Sequence, residues 1–298
     1  MRITFQSQYR DTSAAIEKTS EQLLEMQRRV ASGKELGKIS DDPTAAAMGV
    51  AERSQLAGID RYTRAADGVG SRLAIVDTVL TDVVSQLSAA QTVVASARGT
   101  SVTAAQRDAF EVNLAGIRDT LLDDLNTSFH GIYLFAGTAS TTRPYTVPGG
   151  GTFATYAGNT STVEVDVGNG RSVAVARDGS AISRGTDAQD LFETLDDLIA
   201  AVSAGDDAAM ATGLSALQRA FDRAIAAQTR VGADMQAIDA QKLRLQELHV
   251  ASVDRISKLE DLNMAEAITD LTHADAAYRA ALGAVSTVSR VSLLDYMK

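Results

Sequence analysis

Cysteine and tryptophan are absent, proline occurs three times in 298 residues, and aromatic residues make up only 5%. Without cysteine there is no disulfide framework, no thiolate-held zinc and no thiol nucleophile. Basic residues are also short, 28 against 38 acidic ones, for a net charge of −10. An acidic surface opposes nucleic-acid binding, which needs a basic face to neutralise phosphates. A membrane span needs roughly 20 consecutive apolar residues, and none is expected here. The best helical candidate, 83–97, is broken by Ser, Gln and Thr, and the longer uncharged run 144–163 by Gly, Thr and Pro. The N-terminal MRITFQSQYRDTS has no apolar core and no cleavage site, so no cleaved secretory signal is expected.

The prolines are Pro43, Pro144 and Pro148, and helix-breaking residues cluster only between Gly137 and Gly185. In that stretch the period changes to two. Val163, Val165 and Val167 alternate with Glu164 and Asp166, and Gly168-Asn169-Gly170 leads to Val173 and Val175. Alternating strands about a glycine-rich turn predict a β-hairpin within a small β insert. Outside it the period is helical. Ile59, Tyr62, Ala66, Val69, Leu73, Val76, Leu80, Val83, Leu87, Ala90 and Val94 follow an unbroken three-four spacing, the mark of a coiled-coil seam. One helix over 44–98 would be about 80 Å long. Asp42 before Pro43 predicts an N-cap. Thr103 with Gln106 and Thr186 with Gln189 predict capping boxes, and Gly99 and Gly205 predict helix stops.

Both ends carry weaker seams. Tyr9, Thr12, Ile16, Thr19, Leu23, Met26 and Val30 keep the spacing near the start. Met264, Ile268, Leu271, Tyr278, Leu282 and Val285 keep it near the end, with Asp275 out of character. Such stripes need a cover, so the two ends are expected to pack together or against other copies. The thin N-terminal stripe is expected to order only when covered. The ends are nearly neutral while the middle holds almost all of the net negative charge. Close lateral packing of copies is easier where like charges do not accumulate.

Catalytic chemistry is hard to find. His130, His249 and His273 have no convincing metal-ligand spacing. The paired acids Asp41-Asp42, Asp123-Asp124, Asp196-Asp197 and Asp206-Asp207 fall at expected helix starts or surfaces, where capping and solvation explain them. Gly149-Gly150-Gly151 opens no helix, as a phosphate loop must, and no G-x-S-x-G elbow occurs. No catalytic, cofactor-binding or metal-binding residues are nominated, no cofactor is expected, and an enzyme is not the reading.

Three segments carry a resemblance. Met1-Arg2-Ile3 and ASGKELGKISDDPTAAAMGVA (31–51) lie near the start. LNTSFHGIYLFAGT (125–138) is internal, and LEDLNMAEAITDLTHADAAYRAALGAVSTVSRVSLLDYMK (259–298) closes the chain. Together they resemble bacterial flagellar axial proteins of the flagellin type. The S-D-D-P stretch and the tail after the paired leucines Leu293 and Leu294 resemble the junction branch of that family.

The resemblance implies a mainly α protein: an elongated, discontinuous helical rod with long coiled-coil helices from both termini and a small β-rich insert. Its expected parts are a terminal assembly helix and turn (1–42), two halves of the helical rod (43–139 and 186–258), an outward-facing insert (140–185) and a C-terminal assembly helix (259–298). The implied role is a junction layer between hook and filament, outside the cell. The implied partners are further copies, the first junction protein, flagellin and an export chaperone, with export through the flagellar type III apparatus and no membrane insertion. The expected assembly residues are Ile16, Leu23, Met26, Val30, Ile268, Leu271, Tyr278, Leu282, Val285, Leu293 and Leu294. They serve either within the chain or between copies. The alternative within the family is flagellin itself; outside it stands a cytoplasmic coiled-coil signalling protein.

Overall fold

The computed structural model describes residues 5–35, 37–38, 42–99, 102–147, 153–168 and 170–296, with side chains in its terminal helices from 10 to 286. The chain forms two compact units, a terminal one (1–58 with 248–298) and a central one (59–247). Helices dominate: α1 (Phe5–Ser32), α2 (Pro43–Ala97), α3 (Ala104–Leu125), α4 (Ser180–Ser183), α5 (Leu191–Ala204), α6 (Asp207–Glu260) and α7 (Met264–Tyr296).

In the central unit the predicted seam is the core. Every seam residue from Ile59 to Val94 is buried except Tyr62, which is half-buried. The facing stripe on α6 was not singled out from the sequence. Met210, Leu217, Ala224, Val231, Ile238 and Leu245 recur every seventh residue and are buried, which is heptad spacing diluted by alanine. The two helices are tied by Arg98 Nε to Asp207 (2.8 Å), Gln228 Nε2 to Thr81 (2.9 Å) and Lys242 to Asp67 (2.7 Å). Leu114, Ile117, Leu121 and Leu125 of α3 and Leu191, Leu195, Leu198 and Val202 of α5 complete the core. By length and composition alone, a stretch of α2 could cross a membrane, which corrects the expectation that none could. Its seam side chains are instead packed in this core.

Three of the expected caps form, and one does not. Asp42 Oδ1 accepts from the backbone N–H of Thr44 and of Ala45, both at 2.9 Å, and Thr103 with Gln106 forms the capping box. Gly205 ends α5 at φ 67°. Thr186 and Gln189, however, start no helix. Arg219 and Arg223 hold Asp187 at 2.8 and 2.6 Å, and Arg184 donates to the Asp187 and Ala188 carbonyls. The chain therefore stays in a turn until Asp190, whose carboxylate caps α5 at Phe192 N–H.

The β residues form three antiparallel pairs rather than one sheet: β1 (Ser128–Phe129) with β2 (Ile132–Tyr133), β3 (Tyr145–Thr146) with β4 (Thr155–Tyr156), and β5 (Glu164–Asp166) with β6 (Ser172–Ala174). The last is the predicted hairpin, with Val165 opposite Val173. The first lies ahead of the expected insert. Its turn residues His130 and Gly131 have φ of 52° and 77°, the backbone of a type I′ hairpin turn. The internal motif thus marks a helix end and hairpin. Asn126 caps α3, and its side chain accepts from Tyr145 N–H (2.9 Å) and donates to Tyr145 O (3.1 Å). Gln241 on α6 donates to Val167 O at 3.1 Å. Gly168 lies so close to the Tyr62 ring that a Cβ there would sit 3.0 Å from it. Half-buried Tyr62 is therefore the point where the seam supports the hairpin.

One carboxylate opposes this packing. Burial, then the charges of Asp82 and Asp123, push the Asp124 carboxyl up to about 6. A folded pKa above the unfolded value favours the protonated form. The favourable contribution is full below the unfolded pKa and is lost as pH rises through 6. Asp124→Asn is expected to raise Tm at pH 7.5 and to leave it unchanged near pH 3.5. Thermal melts at the two pH values check this.

Candidate assembly surface

In the terminal unit α1 and α7 pack along each other. Their ends are paired by backbone bonds: Lys34 bridges Asp261 in antiparallel sense. Glu35 N–H donates to Glu260 O at 2.8 Å, and Leu262 N–H donates to Gly33 O at 3.0 Å. Gly33 permits this turn because its φ is 66°, a region open to glycine without steric cost. From that junction the two helices run antiparallel.

The side chains then sort into a covered stripe and an uncovered edge. On α1, Ile16, Leu23, Met26 and Val30 are half-buried, with Thr12 ahead of them and Thr19 among them. On α7, Leu271, Tyr278 and Val285 are half-buried together with Ala274 and Ala281, and Ala267 is buried. The thin N-terminal stripe thus finds its cover within the chain. Ile268 and Leu282, expected in the same stripe, are 49% and 43% exposed, and Met264 is 45% exposed. At about 3.6 residues per turn, positions 264, 268 and 282 fall along one line of α7 beside the covered stripe. α7 is apolar over a wider arc than one helix can cover. Asp275, out of character in that arc, pairs with Arg279 at 2.9 Å. Leu293 and Leu294 lie within α7, but their side chains are outside the described residues.

No local pattern points to the polar cluster at the root of this pair. Glu260, the last residue of α6, is buried. Its Oε2 accepts from Lys34 Nζ at 2.8 Å and from Arg53 Nη2 at 2.5 Å. The hydrogen bond from Lys34, then that from Arg53, outweigh burial and hold its carboxyl below the usual carboxylate range. A depressed pKa contributes stability above the unfolded value, lost as pH falls through the folded one. Beside it Arg255 Nε donates to Glu52 at 2.9 Å, and Arg29 bonds Glu25 and Glu35. Lys34 and Glu260 are 226 residues apart, so no local spacing could have joined them. Among the described residues no group of three or more His, Asp or Glu could hold a metal ion.

Paired terminal helices, a heptad core and small β pairs over the central helices make up a mainly α fold. Residues 3–140 match the bacterial flagellin N-terminal helical region. The chain is a homologue of flagellar hook-associated protein 3, a structural protein of the flagellum. It is 26% identical over 215 residues to that protein of Salmonella typhimurium, covering 68% of this chain and 67% of the relative. It is 26% identical over 238 residues to that of Escherichia coli, covering 80% and 69%. The fold is shared with the crystal structure of Bacillus cereus FlgL, at a TM-score of 0.60 and 23% identity over 70% of this chain and 99% of that one.

Proposed function

We propose that this chain is a non-enzymatic structural subunit of the bacterial flagellum, forming the layer that adapts the hook to the filament. The segments 1–42 and 259–298 assemble the layer. The helical segments 43–139 and 186–258 build its wall, and 140–185 faces outward. The partners are other copies, the first junction protein below and flagellin above, with an export chaperone before secretion. The observation that carries this reading is the uncovered apolar edge of α7, Met264, Ile268 and Leu282, beside a covered stripe. An isolated chain gains nothing by exposing it, whereas a neighbour burying it gains about 25 cal/mol per Å² of apolar surface. Ile16, Leu23, Met26, Val30, Leu271, Tyr278 and Val285 hold the terminal pair, and Leu293 and Leu294 extend it toward neighbours.

Deletion of the gene tests this. The expected outcome is cells with bare hooks and monomeric flagellin shed into the medium. Normal hooks with little flagellin anywhere would assign the chain instead as the filament subunit. Intact filaments would overturn both.

A further inference from the structure

Two exposed faces of the central unit bury nothing in the isolated chain. Within 59–247, Val112 on α3 and Leu243 on α6 are the most exposed large apolar side chains, at 73% and 64%. Each stands among charges. Asp108 and Glu111 share one face of α3 with Val112, within a turn of it, and neither carboxylate has a partner among the described residues. Leu243 lines a groove of about 550 Å³ between α6 and the turn of the β5–β6 hairpin, together with Arg171, Arg244 and Glu247. The two guanidinium groups are exposed and likewise have no partner among the described residues. Elsewhere in the unit Arg98, Arg118, Arg177 and Arg223 each hold a carboxylate of the same chain.

The two faces cannot meet within one molecule. α2 and α6 run antiparallel, tied by Arg98 to Asp207 and, further along, by Lys242 to Asp67. α3 starts beyond the first of these ties and runs back along α2, so that its Asp124 feels the charge of Asp82. Val112 therefore stands between the levels of residues 98 and 82 of α2, whereas Leu243 adjoins the level of 67. At 1.5 Å per residue they are about 40 Å apart along the helices.

We infer that these faces are the two halves of one contact between copies: the groove of Arg171, Leu243 and Arg244 on one copy takes the α3 face of Asp108, Glu111 and Val112 on the next. An apolar centre within a polar rim is the ordinary anatomy of an interface, and here the signs of the two rims are opposite. The middle of the chain is strongly acidic, so copies repel one another along most of it. Close approach is favoured where cations on one surface meet anions on the other, and that match sets the register. Glu247 opposes it, against two arginines. Because unlike faces meet, each copy keeps one free groove or one free α3 face, and the contact repeats from copy to copy into a ring or a helical row. Its place in the cell rests on the layer proposed above, to which it adds a lateral contact apart from the terminal helices.

The chain has no cysteine, so Val112→Cys with Leu243→Cys puts its only two thiols at the contact. Cells carrying this variant in place of the natural protein are treated with a short bismaleimide, and the chain is followed on denaturing gels. A ladder of dimers, trimers and larger multimers is expected. Reversing one side, by Asp108→Lys with Glu111→Lys or by Arg171→Glu with Arg244→Glu, is expected to abolish the ladder and swimming while the purified chain melts as before. All four changes together are expected to restore both. Swimming cells whose chain stays monomeric would overturn the contact and leave the layer standing, as would full motility of either one-sided reversal. A ladder that stops at dimers, or four changes that restore nothing, would also overturn it. If deletion of the gene leaves filaments intact, the flagellar reading fails instead. The same cross-linking on the concentrated purified chain then judges the contact: a ladder upholds it and monomers end it.

Discussion

Exchanging Ile268 and Leu282 for aspartate is expected to leave the isolated chain folded and to abolish motility when the variant replaces the natural protein. Both side chains are nearly half exposed on α7. Placing a carboxylate there costs the monomer little, and surface changes away from packed features usually stay within about 0.5 kcal/mol. In the proposed layer of copies the same edge would be covered, and each neighbour would then meet a buried, unpaired charge, which costs several kcal/mol. Repeated around a ring, that penalty prevents the layer from closing. The contrast is Leu23 with Leu271. Both are half-buried in the α1–α7 stripe, so aspartate at those positions separates the terminal helices before any neighbour is met. Helicity of the purified monomer with swimming on soft agar distinguishes the cases. Motile cells carrying the Ile268 and Leu282 variant would remove this edge from the assembly surface. A monomer that loses helicity would make the two residues part of the fold.

The second large effect is expected at Asn126. Its amide makes both hydrogen bonds to the Tyr145 backbone, and both residues are buried. Alanine there strands a buried N–H and a buried C=O at once, at about 2–4 kcal/mol in sum. For a unit of this size, Tm falls by about 2–4 °C for each kcal/mol, so a drop of roughly 5–15 °C is expected in thermal melts. The damage should spread to the ring packed beneath. Tyr145 stacks edge-on against Phe192 at 5.1 Å. Its hydroxyl donates to Ser183, whose own hydroxyl donates to the N-cap carboxylate of Asp190. Burial, which the Ser183 bond offsets only in part, raises the Tyr145 phenol well above its ordinary value, so it remains a neutral donor at any working pH. A melt unchanged by Asn126→Ala would mean that water or a shifted chain satisfies both backbone groups.

Local periodicity was legible without coordinates. The seam from Ile59 to Val94, the Asp42 and Thr103 caps, the Gly205 stop and the Val165–Val173 hairpin each depend on residues a few positions apart, where 3.6- and two-residue repeats leave a direct mark. The heptad of α6 was equally local and was missed because alanine dilutes it. Thr186 was misread because two arginines from a distant turn of α6 decide where α5 begins. Only the tertiary structure could separate the covered stripe of α7 from its exposed edge, since Leu271 and Ile268 belong to one apolar arc until α1 covers part of it. Only it could join Glu260 to Lys34 and Arg53, or Asn126 to Tyr145. Spacing along a chain encodes which face of a helix is apolar; what lies against that face is decided by long-range packing, which no short repeat records.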